Sequence, residues 1–153
     1  MSRVKFLLDE NLGKLAKWLR FLGYDAAIYK SISIHNKIRL ANRENRVYLT
    51  RDKKIAKLKQ KFSRKLIKSE NHKEQLKELK NYIKYEEEYL FTICPNCNKL
   101  LKNANKEKIK KLVPEYIYQT HDEFKVCYMC GRVFWKGSHY HKIRDTLKDL
   151  LKV

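Results

Sequence analysis

The sequence predicts an α/β fold in which a parallel sheet is flanked by helices, followed by a small zinc-binding module. Over residues 1–90, short apolar runs alternate with amphipathic stretches, and strands separated by helices pair in parallel through right-handed crossovers. Beyond residue 90, four cysteines form two closely spaced pairs, which is typical of structural zinc sites. A chain of 153 residues has room for one such domain and a metal-stabilised module.

The elements of the first part alternate between strand and helix. The first helix carries Leu12, Leu15, Leu19 and Leu22 at spacings of three and four and is expected to end at Gly23. We predict strands at 4–8, 26–29, 47–50 and 66–67, and helices at 12–22, 36–44, 53–61 and 71–85. The acidic run at 86–88 marks the expected joint between an α/β domain at 1–88 and a zinc ribbon module with a C-terminal helix at 89–153.

The four cysteines are candidate zinc ligands. Cys94 and Cys97 form one pair, Cys127 and Cys130 the other, and 29 residues separate the pairs. This gap exceeds the commonest spacing of such sites, which favours an elaborated ribbon over a minimal finger. Four thiolates leave no open position for water, so we expect structural zinc, and its removal should unfold residues from about Thr92 onward. Disulfides are the alternative in an oxidising compartment, but the N-terminal residues lack an apolar signal segment.

The net charge indicates a polyanionic partner. Lysine and arginine number 36 against 17 acidic residues, a formal charge of +19. Four thiolates on one divalent ion would leave about +17. No run approaches the roughly 18 apolar residues of a membrane span, so the sequence favours nucleic acid over lipid. Cysteines expected to be reduced, together with the lack of a targeting signal, predict a cytoplasmic location. The sequence is silent on oligomeric state.

Two carboxylates follow predicted strands directly. Asp9 follows the first strand and Asp52 the third. Because ligands of parallel sheets gather beyond the carboxyl ends of the strands, these two side chains could share one crevice. Each could instead cap the helix that follows it. In a basic protein, clustered carboxylates are most easily explained by a divalent cation such as Mg²⁺ or Mn²⁺.

A basic segment and several aromatic residues are candidates for RNA contact. The 16 residues at 53–68 contain no acid, and like charges at this density repel one another unless phosphates neutralise them. Such a run is often only a solvated face. Among the later aromatic residues, Trp135 and His139 are expected to be exposed and able to stack on unpaired bases. The predicted RNA-binding residues are Lys53, Lys54, Lys57, Lys61, Arg64, Lys65, Trp135 and His139.

Several segments resemble one known family. The run at 6–25 (FLLDENLGKLAKWLRFLGYD) is similar to the opening of the Mut-seven C-terminal RNase family, a PIN-like ribonuclease domain with a C-terminal zinc ribbon. The segment 45–52 (NRVYLTRD) resembles its second acidic motif. The segments 94–97 (CPNC) and 127–139 (CYMCGRVFWKGSH) resemble the opening and closing of its ribbon. These segments span most of the chain in the family's order.

The resemblance implies a PIN-like fold that cleaves RNA with Mg²⁺ or Mn²⁺, in which Asp9 and Asp52 would be metal ligands. The chain departs from the pattern within 31–39, where family members usually carry another acid, and no carboxylate occurs between Asp25 and Glu44. We therefore expect an RNA-binding PIN-like protein with doubtful catalysis, acting on or stably bound to structured RNA such as a ribosomal or other ribonucleoprotein particle. The alternative is an active Mg²⁺- or Mn²⁺-dependent ribonuclease that uses Asp9 and Asp52.

Overall fold

The structure is a computed structural model that describes residues 3–153. Its central feature is a parallel sheet of four strands in the order β2-β1-β3-β4. The strands are β1 (Lys5–Leu8), β2 (Ala26–Ala27), β3 (Arg46–Thr50) and β4 (Arg64–Leu66). The predicted α/β class, a PIN-like parallel sheet flanked by helices with a four-cysteine module after it, is confirmed.

Helices cover both faces of the sheet. They are α1 (Gly13–Phe21), α2 (Ile34–Arg43), α3 (Lys53–Ala56) and α4 (His72–Lys77). Since side chains of a strand alternate between faces, Phe6 and Leu8 pack in one core with α1 and α4. Leu7 and Tyr48 point the other way and pack with α2 and α3. The sheet therefore lies between two helical layers.

Two helices are shorter than the sequence predicts. Helix α3 ends at Ala56 rather than near residue 61. The chain turns there, and the Arg64 guanidinium donates hydrogen bonds to the backbone carbonyls of Ala56, Leu58 and Gln60. Helix α4 ends at Lys77 rather than at 85.

The chain after α4 continues in turns that keep the inward spacing of the apolar residues. Leu79 donates to the carbonyl of Leu76, and Tyr82 to that of Leu79. Leu79 and Ile83 are buried, as the predicted helix also required. The spacing of the apolar residues therefore predicted correctly which side chains are buried, but the helix predicted beyond Lys77 is wrong.

The C-terminal third forms a ribbon and a returning helix. Three short antiparallel strands make the ribbon: β5 (Lys102–Asn103), β6 (Lys125–Val126) and β7 (Val133–Phe134). Between β5 and β6, a 3-10 helix (Lys106–Leu112) and α5 (Glu115–Thr120) pack around a small core of their own. Helix α6 (Ser138–Leu150) ends the fold.

Helix α6 returns to the main core. Its residues Tyr140, Ile143 and Leu147 are buried in the same cluster as the inner side of α1. The backbone amide of Phe91 also donates to the carbonyl of Phe21 at 3.0 Å. The proposed division at residue 88 therefore separates segments that share one core. Among residues 3–153, no helix is long and apolar enough to cross a membrane.

Candidate zinc centre and acidic crevice

The four cysteines converge on one point between the two turns that carry them. All four Sγ atoms lie within 4.8 Å of one another, and the Sγ atoms of Cys94 and Cys130 are 3.8 Å apart. Zn–S bonds of about 2.3 Å in tetrahedral geometry require sulfur atoms about 3.8 Å apart. The donor set and its spacing therefore fit a metal ion such as zinc.

Backbone groups around the sulfur atoms favour thiolates. Burial opposes ionisation of Cys127, but N–H groups of Cys130 and Met129 donate to its sulfur, and together with the neighbouring thiols they lower its pKa to about 7. Burial raises the pKa of Cys94, although the backbone N–H groups of Asn96 and Cys97 oppose that shift. Each pair thus forms a turn whose amides point at the first sulfur, an arrangement that stabilises a metal-bound thiolate.

The first cysteine turn is attached to the edge of the parallel sheet. The side-chain oxygen of Asn98 accepts the backbone N–H of Ala26 at 2.9 Å, so the asparagine continues the hydrogen bonding of edge strand β2. The buried Arg20 donates to the carbonyls of Pro95, at 2.7 Å, and of Ala26. These contacts couple the metal-binding turn to the α/β domain.

An ion pair beside Asn98 stabilises the amino-terminal end of the parallel sheet. Arg46 donates to Asp25 at 2.7 Å, and Asn98 donates to the same carboxylate at 2.6 Å. Burial raises the pKa of Asp25, but these hydrogen bonds outweigh it and leave the pKa below its ordinary value. Asp25 is therefore a structural carboxylate at the end of the sheet away from the acidic crevice.

Asp9 and Asp52 lie together at the carboxyl ends of β1 and β3, where the sequence places them. Thr50 connects them: its hydroxyl donates to Asp9 Oδ2 at 2.6 Å and accepts the backbone N–H of Asp52 at 3.0 Å. Its hydroxyl is buried and links the two acids.

Asp9 already has three donors. Besides Thr50, the hydroxyl of Tyr48 donates to Asp9 Oδ1 at 2.5 Å, and the ammonium group of Lys37 lies 3.3 Å from the same oxygen. The side chains of Lys37 and Asp9 are 10% and 16% exposed. Burial, together with the hydrogen bond to Asp9, raises the pKa of Tyr48 above its ordinary value, so the phenol remains a proton donor. The ammonium group of Lys37 therefore balances the negative charge of Asp9 within the protein.

Asp52 and Glu10, the neighbour of Asp9 in the sequence, also make hydrogen bonds within the protein. Asp52 caps α3, since its Oδ1 accepts the backbone N–H of Lys54 at 2.8 Å. Glu10 accepts the backbone N–H of Ser31 at 3.1 Å. Within the described residues, the cysteines are the only group of three or more His, Cys, Asp or Glu side chains close enough to hold a metal. The crevice thus contains two carboxylates that are linked through Thr50, one of them paired with Lys37. The binding of Mg²⁺ or Mn²⁺ by Asp9 and Asp52, and catalysis by them, stay predictions.

The fold, the cysteine cluster and the paired acids agree with one family. A sequence profile of the Mut7-C RNAse domain matches residues 4–147. The chain belongs to the Mut7-C RNAse domain family. No curated protein and no solved structure matches the chain significantly. The family indicates a function related to RNA.

The predicted basic segment of this Mut7-C chain follows one flank of the domain. Lys53, Lys54, Lys57 and Lys61 are exposed, and Lys65 is half-buried on edge strand β4. The first two lie at the carboxyl end of β3, whereas the carbonyl of Lys61 accepts a hydrogen bond from Asn42 near the end of α2. These lysines, which we call the α3 flank, therefore extend along one side of the domain and do not form a compact patch.

Arg64, also predicted to contact RNA, has a structural role that the sequence did not indicate. Its guanidinium donates to three backbone carbonyls of the α3–β4 connection and stacks on the Phe62 ring with 3.8 Å to the ring centroid. These contacts occupy both terminal nitrogen atoms.

The aromatic residues of the Mut7-C ribbon differ in exposure from the prediction. Trp135 is half-buried against Phe124, with ring centroids 6.4 Å apart, so its expected exposure is wrong. His139 is exposed as expected. The sequence analysis missed Tyr128 and Met129, which are 76% and 67% exposed at the tip of the second cysteine turn. Their position inside a tight metal-binding turn was the available signal, because such a turn has no room to bury them.

Proposed function

We propose that this Mut7-C protein binds RNA without hydrolysing it. The observation that carries the proposal is the ion pair between Lys37 and Asp9 in the acidic crevice. A metal-dependent nuclease needs carboxylates that are free to coordinate divalent ions. An ammonium group supplies one positive charge, but it cannot coordinate and activate a water molecule as a metal ion does. Lys37 also comes from the segment 31–39, in which the family's usual acid is missing.

The charge of the protein supports RNA binding. A formal charge of +19 attracts a polyanion over long range, and phosphate contacts provide most of the affinity for nucleic acid. The exposed lysines of the α3 flank can contact the backbone of structured RNA without reading its sequence. A ribosomal or other ribonucleoprotein particle is the partner class that suits stable, non-hydrolytic binding.

The deciding experiment compares RNA cleavage by the wild type, Asp9→Asn and Asp52→Asn. Labelled RNA is incubated with each protein and Mn²⁺ or Mg²⁺. We expect no metal-dependent cleavage by the wild type above the level of the two variants, and RNA binding by all three. Cleavage by the wild type that is lost in both variants would overturn the proposal in favour of a metal-dependent ribonuclease.

A complementary variant, Lys37→Glu, replaces the internal cation with a carboxylate beside Asp9. Calorimetric titration of zinc-loaded protein with Mn²⁺ should detect no binding by the wild type and binding by Lys37→Glu. Mn²⁺ binding by the wild type that disappears in Asp9→Asn would contradict the proposal. Co-sedimentation with ribosomal subunits tests the particle version directly.

A further inference from the structure

A groove runs over the outer surface of α1, between α6 and the cysteine turns. One part, of about 550 Å³, lies between α1, the two cysteine turns and the start of α6. A second part, of about 310 Å³, continues between α1, α4 and α6. Lys17, Phe21 and His139 line both parts, so the two form one continuous depression. We call it the α1–α6 groove.

One face of α1 and one face of α6 form two walls of the groove. Positions 14, 17, 18 and 21 of α1 line it, and so do positions 139, 142, 143 and 146 of α6. Both sets follow the spacing of one helix face. Because the inner faces of α1 and α6 are buried in the main core, these stripes are held on a rigid base.

The groove is positively charged and contains no carboxylate. Its cations are Lys14, Lys17, Lys73, Arg132 and Lys142, all exposed, and no acidic residue lines either part. Among residues 3–153, no ion pair involves any of these five side chains. Cations that converge without internal partners are a site for phosphate groups.

Aromatic rings lie between these cations. The Trp18 ring stacks on His72 at 6.2 Å and 21°, and it meets Phe21 edge-on at 5.9 Å. His139 lies edge-on to Phe21 at 6.4 Å. Trp135 lines the other part of the groove. Rings interleaved with cations form the platform on which unpaired bases stack while the backbone is neutralised.

We propose that the α1–α6 groove binds a single-stranded segment of RNA. This inference rests on the proposed function, since it identifies where and in what form the RNA is held. A duplex presents its backbone and hides the faces of its bases, so it could use the lysines but not the recessed rings. The groove lies on the face of the sheet opposite α3, and its role is therefore separate from that of the α3 flank.

Intrinsic fluorescence reports on this groove directly. The chain has two tryptophans, and both line the groove. Zinc-loaded protein is titrated with a 12-nucleotide oligouridylate and, separately, with a 12-base-pair RNA duplex. We expect the single strand to quench the tryptophan emission and the duplex to bind with little quenching. Equal quenching by both, or preferential binding of the duplex, would overturn the inference.

A charge variant tests the same site without relying on the rings. In K17Q/K142Q two exposed lysines are neutralised, and we expect affinity for the oligouridylate to fall about tenfold at moderate salt. The matched control K80Q/K84Q removes the same charge at exposed positions outside the groove and should change affinity much less. Replacement of the exposed His139 by alanine (His139→Ala) should reduce the quenching of tryptophan emission by the oligouridylate.

The two proposals fail in different ways. If the wild type binds neither RNA, the proposed function itself is wrong. If the wild type binds RNA but K17Q/K142Q behaves like K80Q/K84Q and no quenching occurs, the groove assignment is wrong and RNA binding stands. Circular dichroism and thermal melting of each variant establish that the fold is retained.

Discussion

At the scale of single residues, Lys37 determines how the acidic crevice is interpreted. The sequence located Asp9 and Asp52 correctly, because each directly follows a strand of a parallel sheet. It also indicated that the segment 31–39 lacks an acid. It could not predict that Lys37 turns inward, since Lys37 lies beside Ile38 on a helix whose two arginines, Arg39 and Arg43, face solvent. A tertiary contact that spans 28 positions leaves no local pattern.

The ion pair has a measurable effect on stability. Lys37→Met should lower the free energy of unfolding by about 2 kcal/mol, because Asp9 is left as a poorly solvated charge without its cation. The pair is not fully buried, so the loss should be smaller than for a deeply buried pair. In the Asp9→Asn background the same substitution should have much less effect. Urea denaturation of the four proteins gives the coupling energy, and additive effects would contradict the ion pair.

At the scale of elements, the apolar periods predicted which residues face the core but not how long each helix is. The predicted helix at 71–85 is the clearest case. Leu76, Leu79 and Ile83 are buried as expected, yet only His72–Lys77 is helical. Successive turns satisfy the same spacing, and Glu78 accepts the amides of Lys68 and Ser69, a contact that secures the turn to the neighbouring connection.

The cysteine module gives a prediction at this scale. Chelation of zinc should unfold the ribbon around β5–β7, because the metal links the two cysteine turns and the four sulfur ligands do not attract one another without it. It should also weaken RNA binding. Asn98 would then release edge strand β2, so the amide of Ala26 should exchange faster with solvent. Helix α6 should keep more protection than the ribbon, since Tyr140 and Leu147 belong to the main core. Hydrogen exchange measured by mass spectrometry before and after chelation checks this.

Asn98→Ala is the control for this coupling. It removes the link to Ala26 but none of the zinc ligands. Zinc content should be unchanged while exchange at Ala26 rises. A fold that is unaffected by chelation would refute the metal assignment.

At the scale of the whole molecule, two basic surfaces lie on opposite faces of the sheet. The α3 flank could be predicted from sequence, because its lysines lie within one short segment, 53–65. The α1–α6 groove could not, because its residues come from α1, α4, both cysteine turns and α6. Only the docking of α6 on the main core brings them together. Family membership was predictable, since it depends on motifs that are continuous in the chain.

The last prediction concerns this charge as a whole. If four phosphates of a single strand are neutralised, affinity for the oligouridylate should fall about fiftyfold between 50 and 200 mM salt, because each contact contributes a slope of roughly 0.7 in the logarithmic salt dependence. In K17Q/K142Q the slope should be lower by about 1.4, and in K80Q/K84Q it should be nearly unchanged. Fluorescence anisotropy of labelled RNA over a salt series measures these slopes. An affinity that barely changes with salt would mean that phosphate contacts do not hold the RNA, whatever the charge of the protein.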